Sequence, residues 1–105
     1  MKYEIYYMRP TWFRNGICGD APDPSNLDAT HTFLRSIEFD GPLDLERVYY
    51  ESQAEVWSPK GEARELITTR GLGHTSMSMG DVIVVGDAAY LVAASGFKAL
   101  TSEAA

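Results

Sequence analysis

One short segment of the chain carries the side-chain types of a catalytic set. These residues are His74, Ser76, Ser78 and Asp81. Imidazole, hydroxyl and carboxylate groups can serve as base, nucleophile and orienting group in acyl transfer. No G-x-S-x-G turn accompanies them, and hydroxyl-rich segments before a strand commonly bond to their own backbone. We therefore expect local structure rather than catalysis, with the Asp81 carboxylate accepting backbone N–H groups where a strand begins.

A second group has residue types that bind metals. Cys18, Asp20 and His31 supply three different ligand types across a loop, which is a weak pattern for a metal site. Cys18 is the only cysteine, so the chain has neither an internal disulfide nor a C-x-x-C pair, and a reducing compartment is expected. We predict no cofactor and no metal. A small enzyme or ligand-binding domain that uses His74, Cys18 and His31 stays open as the alternative.

The clearest electrostatic feature is an acidic segment, residues 38–55. It holds six carboxylates against one cation, Arg47, so its net charge is −5, and the whole chain carries −6. The six are Glu38, Asp40, Asp44, Glu46, Glu51 and Glu55. A surface of this sign repels nucleic acid and anionic membranes, so we predict no direct binding to either. The ordinary interpretation of this acidic segment is a solvent-exposed helix face. The functional interpretation is a binding site for a basic protein partner.

The elements that must position these residues follow from periodicity and turn residues. Alternation predicts strands over Lys2–Met8 and over 31–39, and the Gly86-Asp87 pair predicts an antiparallel hairpin over 81–94. Apolar residues at helical spacing, including Leu45, Val48 and Tyr49, predict an amphipathic helix over 43–56 with Asp44 or Asp40 at its start.

Three other segments have weaker patterns. Residues 9–30 are rich in Gly, Pro, Asn and Asp and are predicted to be a long loop whose Trp12-Phe13 pair folds back onto the body. Residues 62–69 fit either a short helix or the start of a strand. Residues 101–105 have little to bury and are expected to fray.

The chain as a whole, 1–105, is predicted to be one α+β domain with a small antiparallel sheet and one main helix on one face.

Composition is that of a folded protein. The chain is 45% hydrophobic and 11% aromatic, whereas disordered chains have few aromatic residues. Most of the aromatic residues are expected in the core, although they could form a ligand platform; the set is Tyr3, Tyr6, Tyr7, Trp12, Phe13, Tyr49, Tyr50 and Trp57. The start lacks the apolar run of a secretion signal, and no run approaches the roughly 18 residues of a membrane span. We therefore expect a cytoplasmic protein.

The last third of the chain resembles a known family. The segment from Gly73 to Val84, followed by Tyr90-Leu91-Val92 and Gly96-Phe97, is similar to the YodL-like family, whose members often read H-S-L-S-V-S-D-V and later G-F. The family consists of small proteins of plasmids, conjugative elements and phages, so the resemblance implies a mobile-element setting. It implies no catalytic residues. Members often place an acid and an aromatic before the closing Gly-Phe, where this chain has Ala93, Ala94 and Ser95, so any family ligand site there would be missing.

Acidity, small size and this resemblance together predict a non-enzymatic binding protein. Its partner would be a basic surface of a host nucleic-acid-handling defence complex, and anti-CRISPR or antirestriction activity would be the concrete form. The hypothesis requires that the carboxylates lie on one outward surface and are not neutralised by Arg35, Arg47 or Arg64. The sequence identifies neither the partner nor the oligomeric state.

Overall fold

Five antiparallel strands form one sheet in the computed structural model, which describes residues 1–53, 62–74 and 76–100. The strands are β1 (Lys2–Met8), β2 (His31–Glu38), β3 (Val82–Val85), β4 (Ala88–Val92) and β5 (Phe97–Ala99). Their order across the sheet is β2-β1-β3-β4-β5. The α+β class predicted from the sequence is confirmed.

The first strand, β1, lies in the interior of the sheet between β2 and β3. Tyr3, Ile5 and Tyr7 alternate along it and are fully buried, as a strand with one face on the core requires. The pairing with β2 is interrupted by a bulge between Ile5 and Tyr6. The strands predicted over Lys2–Met8 and over 31–39 are therefore confirmed, with β2 ending one residue early.

A two-residue turn joins β3 to β4, as predicted. Val85 pairs with Ala88, and Gly86 between them has a φ of 60°, the positive value that the first central residue of a type II′ turn requires. The hairpin ends at Val92 instead of residue 94. Residues beyond it turn at Gly96 and add β5, a strand that the sequence did not predict.

The helix predicted over 43–56 is shorter: α2 spans Leu45–Glu51. Asp44 is its N-cap and accepts a hydrogen bond from the Arg47 backbone N–H at 3.1 Å, which confirms the predicted start. The C-terminal prediction is wrong because the Ser52 carbonyl is bonded elsewhere, by the Met77 N–H at 3.1 Å and the Tyr7 hydroxyl at 3.3 Å. That carbonyl is not available to continue a helix.

A further helix, α3, spans Glu62–Thr69 and settles the choice between helix and strand for that segment. The single main helix of the prediction is therefore replaced by short helices. Residues 54–61, which include Glu55, and the predicted frayed tail, 101–105, lie outside the described residues. No helix in the described part of the chain has the length and apolar character needed to cross a bilayer.

The segment predicted as a loop, 9–30, contains three short helical pieces. The piece labelled α1 spans Phe13–Ile17, and 3₁₀ turns cover Pro10–Trp12 and Leu27–Ala29. Phe13 does reach the body of the protein, because its ring meets the His74 ring edge-on at 5.3 Å between centroids. The expected return of the Trp12-Phe13 pair onto the body is thus confirmed for Phe13.

Candidate functional site

The carboxylate of Asp81 is fully buried, and both of its oxygens accept hydrogen bonds. Oδ1 accepts the Met8 backbone N–H at 2.8 Å, and Oδ2 accepts the Ser78 backbone N–H at 2.7 Å. His74 Nε2 contacts both oxygens, at 3.1 and 3.0 Å. The expected role of Asp81, acceptance of backbone N–H groups where a strand begins, is therefore confirmed.

His74 is held in a fixed orientation beside this carboxylate. Its ring stacks on the Tyr7 ring, with centroids 4.5 Å apart and planes 9° from parallel, and its side chain is 14% exposed. Burial raises the pKa of the Tyr7 hydroxyl, and the Asp81 charge raises it further. The structure thus brings together His74 and Asp81, two members of the catalytic-type set noted in the sequence.

The second histidine, His31, is fully buried at the start of β2. Its Nε2 donates to the Gly80 carbonyl at 2.7 Å, and the Thr30 hydroxyl lies 2.7 Å from Nδ1. Because a carbonyl only accepts, Nε2 carries the proton, and the neutral ring accepts from Thr30 at Nδ1. Burial lowers the pKa of His31, since the charged ring would lose its hydration.

The remaining members of the proposed catalytic and metal sets do not join this pair. Ser78 Oγ donates to the Ser76 carbonyl at 3.1 Å, which is the local turn bonding that we expected. Cys18 is exposed at the end of α1, whereas His31 is buried. Across residues 1–53, 62–74 and 76–100, no three His, Cys, Asp or Glu side chains are grouped so as to hold a metal ion.

The acidic segment lies where β2 ends and α2 begins. Glu38, Asp40, Asp44 and Glu46 are exposed, and Glu51 is partly buried. Asp44 is occupied in part by its N-cap bond. Because α2 ends at Glu51, the acidic segment is not carried by one helix over 43–56, and Glu55 lies outside the described residues.

Cations lie beside this surface, although no described residue forms an ion pair with Glu38, Asp40 or Glu46. The N-terminal ammonium donates to the Phe39 carbonyl at 2.7 Å, and Lys2 is opposite Glu38 in the pairing of β1 with β2. The Arg47 guanidinium lies 3.9 Å from the centroid of the Phe39 ring, and Arg35 donates to the Glu51 carbonyl at 3.4 Å. Burial lowers the pKa of Arg35, and the nearby Glu51 charge acts in the opposite direction. Among the described residues, the contact between an acidic and a basic side chain at ion-pair distance is that of Asp81 with His74 Nε2, at 3.0 Å. The side chain of Arg64 is not among those that the structure describes.

Exposed apolar side chains border the carboxylates, which the sequence reasoning missed. Leu43 is 43% exposed, Tyr49 37% and Tyr50 66%. The expectation that aromatic residues lie in the core holds for Tyr3 and Tyr7 and is wrong for Tyr50. Tyr49 was also predicted to lie on the buried face of the helix, and this prediction is wrong. Its ring contacts that of Phe97 in β5 at the surface, with 6.5 Å between the ring centroids. Helical spacing alone did not indicate this exposure.

A hollow of about 380 Å³ adjoins this surface, between α2 and the turn that leads from β4 to β5. It is lined by Glu46, Tyr49, Met79, Val92, Ala93, Ala94, Gly96 and Phe97. Glu46 is therefore a member of both the acidic segment and the hollow.

No protein-family model, curated protein or solved structure matches the chain.

Proposed function

We propose that the chain is a non-enzymatic binding protein that attaches to a basic surface of another protein. The contact surface is formed by the end of β2 and the start of α2. The observation that carries the proposal is the exposure of Glu38, Asp40 and Glu46 without an ion-pair partner among the described residues. Exposed carboxylates that form no ion pair with described residues favour a cationic partner.

The neighbouring apolar groups support a protein partner. Leu43, Tyr49 and Tyr50 are exposed beside the carboxylates, and tyrosine is enriched in the cores of protein interfaces. A surface that combines carboxylates with aromatic side chains fits arginine, which pairs with the former and stacks on the latter. We propose that the partner is a nucleic-acid-handling complex of a host defence system, whose basic groove would take these carboxylates in place of phosphates. Anti-CRISPR or antirestriction activity is the form that this inhibition would take in a mobile-element protein.

The test is affinity capture of the partner from native cytosol, at low and at high salt. The variant Glu38→Lys with Glu46→Lys reverses two exposed charges that make no hydrogen bond or ion pair to described residues. We expect capture at low salt to fall by about tenfold or more, and wild-type capture to weaken as salt rises.

A matched variant separates the location of charge from its total. Glu65→Lys with Asp87→Lys also moves the net charge from −6 to −2, since each reversal changes it by two, but places the change on α3 and the hairpin turn. Partner capture should survive in this control. Equal capture by wild type and the Glu38/Glu46 variant at low salt, or equal loss in both variants, would contradict the proposal.

A second candidate is a small ligand-binding domain or enzyme that uses His74. The observation in its favour is the 3.0 Å contact between His74 Nε2 and Asp81, which fixes the imidazole as a base would need. His74→Gln separates the two proposals, because it removes a titratable group and leaves the acidic surface intact. Full partner capture by this variant supports the binding function, whereas loss of an activity found in the wild type would support the second candidate.

A further inference from the structure

The hollow beside α2 is lined mainly by aromatic and small aliphatic residues. Its floor includes Val92, which is 4% exposed, and its rim is low because Ala93 and Ala94 carry only methyl groups. Tyr49 and Phe97 meet edge-on at one wall, 6.5 Å between centroids, which keeps both rings in place. Apolar walls and small rim residues leave room for a side chain of another molecule.

The charge of the hollow restricts what can enter. Among the described residues that line it, Glu46 is the one that carries a charge, and Glu46 is exposed in the first turn of α2. A carboxylate at the rim disfavours anionic ligands and favours a cation placed beside the apolar group. A second hollow of about 310 Å³ shares Val92, Ala93 and Ala94 with the first, and Lys98 is among its other lining residues. The second hollow is therefore less suited to the cationic part of a ligand.

We infer that the hollow receives an aliphatic or aromatic side chain of the protein partner, next to an arginine or lysine that pairs with Glu46. The inference rests on the proposed function and names the chemistry of the partner segment: a cationic residue adjoining an apolar one. A purely electrostatic contact would use the carboxylates alone. The hollow adds buried apolar area, which gives the contact part of its affinity at high salt.

The first test fills the hollow without changing charge. Ala94 is exposed, so Ala94→Trp places a ring over the hollow while leaving the core untouched. Ala29→Trp, at an exposed alanine of the 3₁₀ turn before β2, is the control, since Ala29 does not line the hollow. We expect capture of the partner by Ala94→Trp to be at least about tenfold weaker, as for loss of one central contact, and capture by Ala29→Trp to match wild type.

The second test uses defined probes and needs no partner. Amide signals of Ala93, Ala94 and Gly96 are followed by NMR while three acetylated, amidated peptides are added: Arg-Leu-Phe-Arg, Arg-Gly-Gly-Arg and Glu-Leu-Phe-Glu. We expect the first to shift these signals to saturation, and the other two to bind at least about tenfold more weakly. Glu46→Gln should weaken binding of the first peptide, and Ala94→Trp should abolish it.

The outcomes separate this inference from the proposed function. Loss of partner capture in the Glu38/Glu46 reversal, with full capture by Ala94→Trp, overturns the inference and leaves the acidic contact standing. Equal shifts from the two arginine peptides would also overturn it, because charge alone would then account for binding. Failure of the reversal itself to weaken capture contradicts the proposed function, whatever the peptides do.

Discussion

The backbone N–H of Met8 donates a 2.8 Å hydrogen bond to Oδ1 of Asp81, a residue 73 positions further along the chain. Met8 is the last residue of β1, and Asp81 directly precedes β3. The same carboxylate accepts the Ser78 N–H and contacts His74. One buried side chain therefore connects the end of the N-terminal strand to the turn that precedes the hairpin.

Asp81→Asn should destabilise the fold by about 2 to 4 kcal/mol, measured as the free energy of unfolding in urea. An amide keeps the shape of the carboxylate but replaces one acceptor oxygen with a donor NH₂ group. That group would face either the Met8 N–H or the Ser78 N–H, and one buried donor would lose its acceptor. Asp87→Asn, in the exposed hairpin turn, is the control and should leave stability within about 0.5 kcal/mol. Similar losses in the two variants would show that the buried contacts of Asp81 contribute little.

Gly80→Ala should cost at least about 2 kcal/mol more than Gly86→Ala in the same unfolding measurement. Both glycines have positive φ, 103° and 60°, so both substitutions strain the backbone. At Gly86 an added methyl group meets nothing within 4 Å, whereas at Gly80 it would press on the Met8 sulfur and lie 3.1 Å from the Gly16 Cα atom. The thioether can move, but the backbone of α1 cannot do so cheaply. Equal costs would mean that α1 yields easily at this contact.

The sheet could be predicted from sequence to a large extent because its signals are local. Alternation in Lys2–Met8 reports the two faces of β1, and Gly86 permits the positive φ on which the hairpin turn depends. The end of α2 could not be predicted, since it depends on the capture of the Ser52 carbonyl by Met77 and Tyr7, which are distant in sequence. The short strand β5 carries too few residues for a periodic signal.

The residue types of the candidate site could be predicted from the sequence, but the arrangement of these residues in space could not. His74 and Asp81 stood out as chemical groups, yet their contact requires the intervening turn to place them together, and a single sequence does not specify that turn. The exposure of Tyr49 and Tyr50 was missed for a related reason. A helical stripe shows which residues share a face, but the width of the buried surface is set by the elements that pack against it.

Ser52→Ala should leave the protein equally stable or more stable by up to about 1 kcal/mol. Ser52 is fully buried, and no described residue hydrogen-bonds to its Oγ, so folding removes this hydroxyl from water without compensation. The contacts that end α2 use the Ser52 backbone carbonyl, which the substitution retains. Ser78→Ala is the matched control: Ser78 Oγ donates to the Ser76 carbonyl, and its loss should cost about 0.5 to 1.5 kcal/mol. Thermal or urea unfolding that ranks the two variants in the opposite order would contradict this account.

His31 should make the fold less stable as pH falls below its ordinary pKa of 6.5. Burial lowers the pKa of His31 in the folded protein, so at mildly acidic pH the unfolded chain binds a proton that the folded chain does not. Stability rises with pH wherever the unfolded state binds more protons, and one such group contributes up to about 1.4 kcal/mol per pH unit. The Gly80 carbonyl and the Asp81 charge raise the pKa of His31 and oppose this effect, whereas His74 and Arg9 lower it.

His31→Gln isolates this contribution from that of other titrating groups. The glutamine amide can donate to the Gly80 carbonyl as Nε2 does, but it cannot take up a proton. We expect the variant to be less stable than wild type at pH 7.5 and to lose less stability on acidification to pH 5.5, a range above the ordinary pKa of carboxylates, about 4. Urea unfolding at closely spaced pH values gives both slopes. Parallel slopes would show that His31 is not the group that responds to acid, because only the loss of its imidazole distinguishes the two proteins.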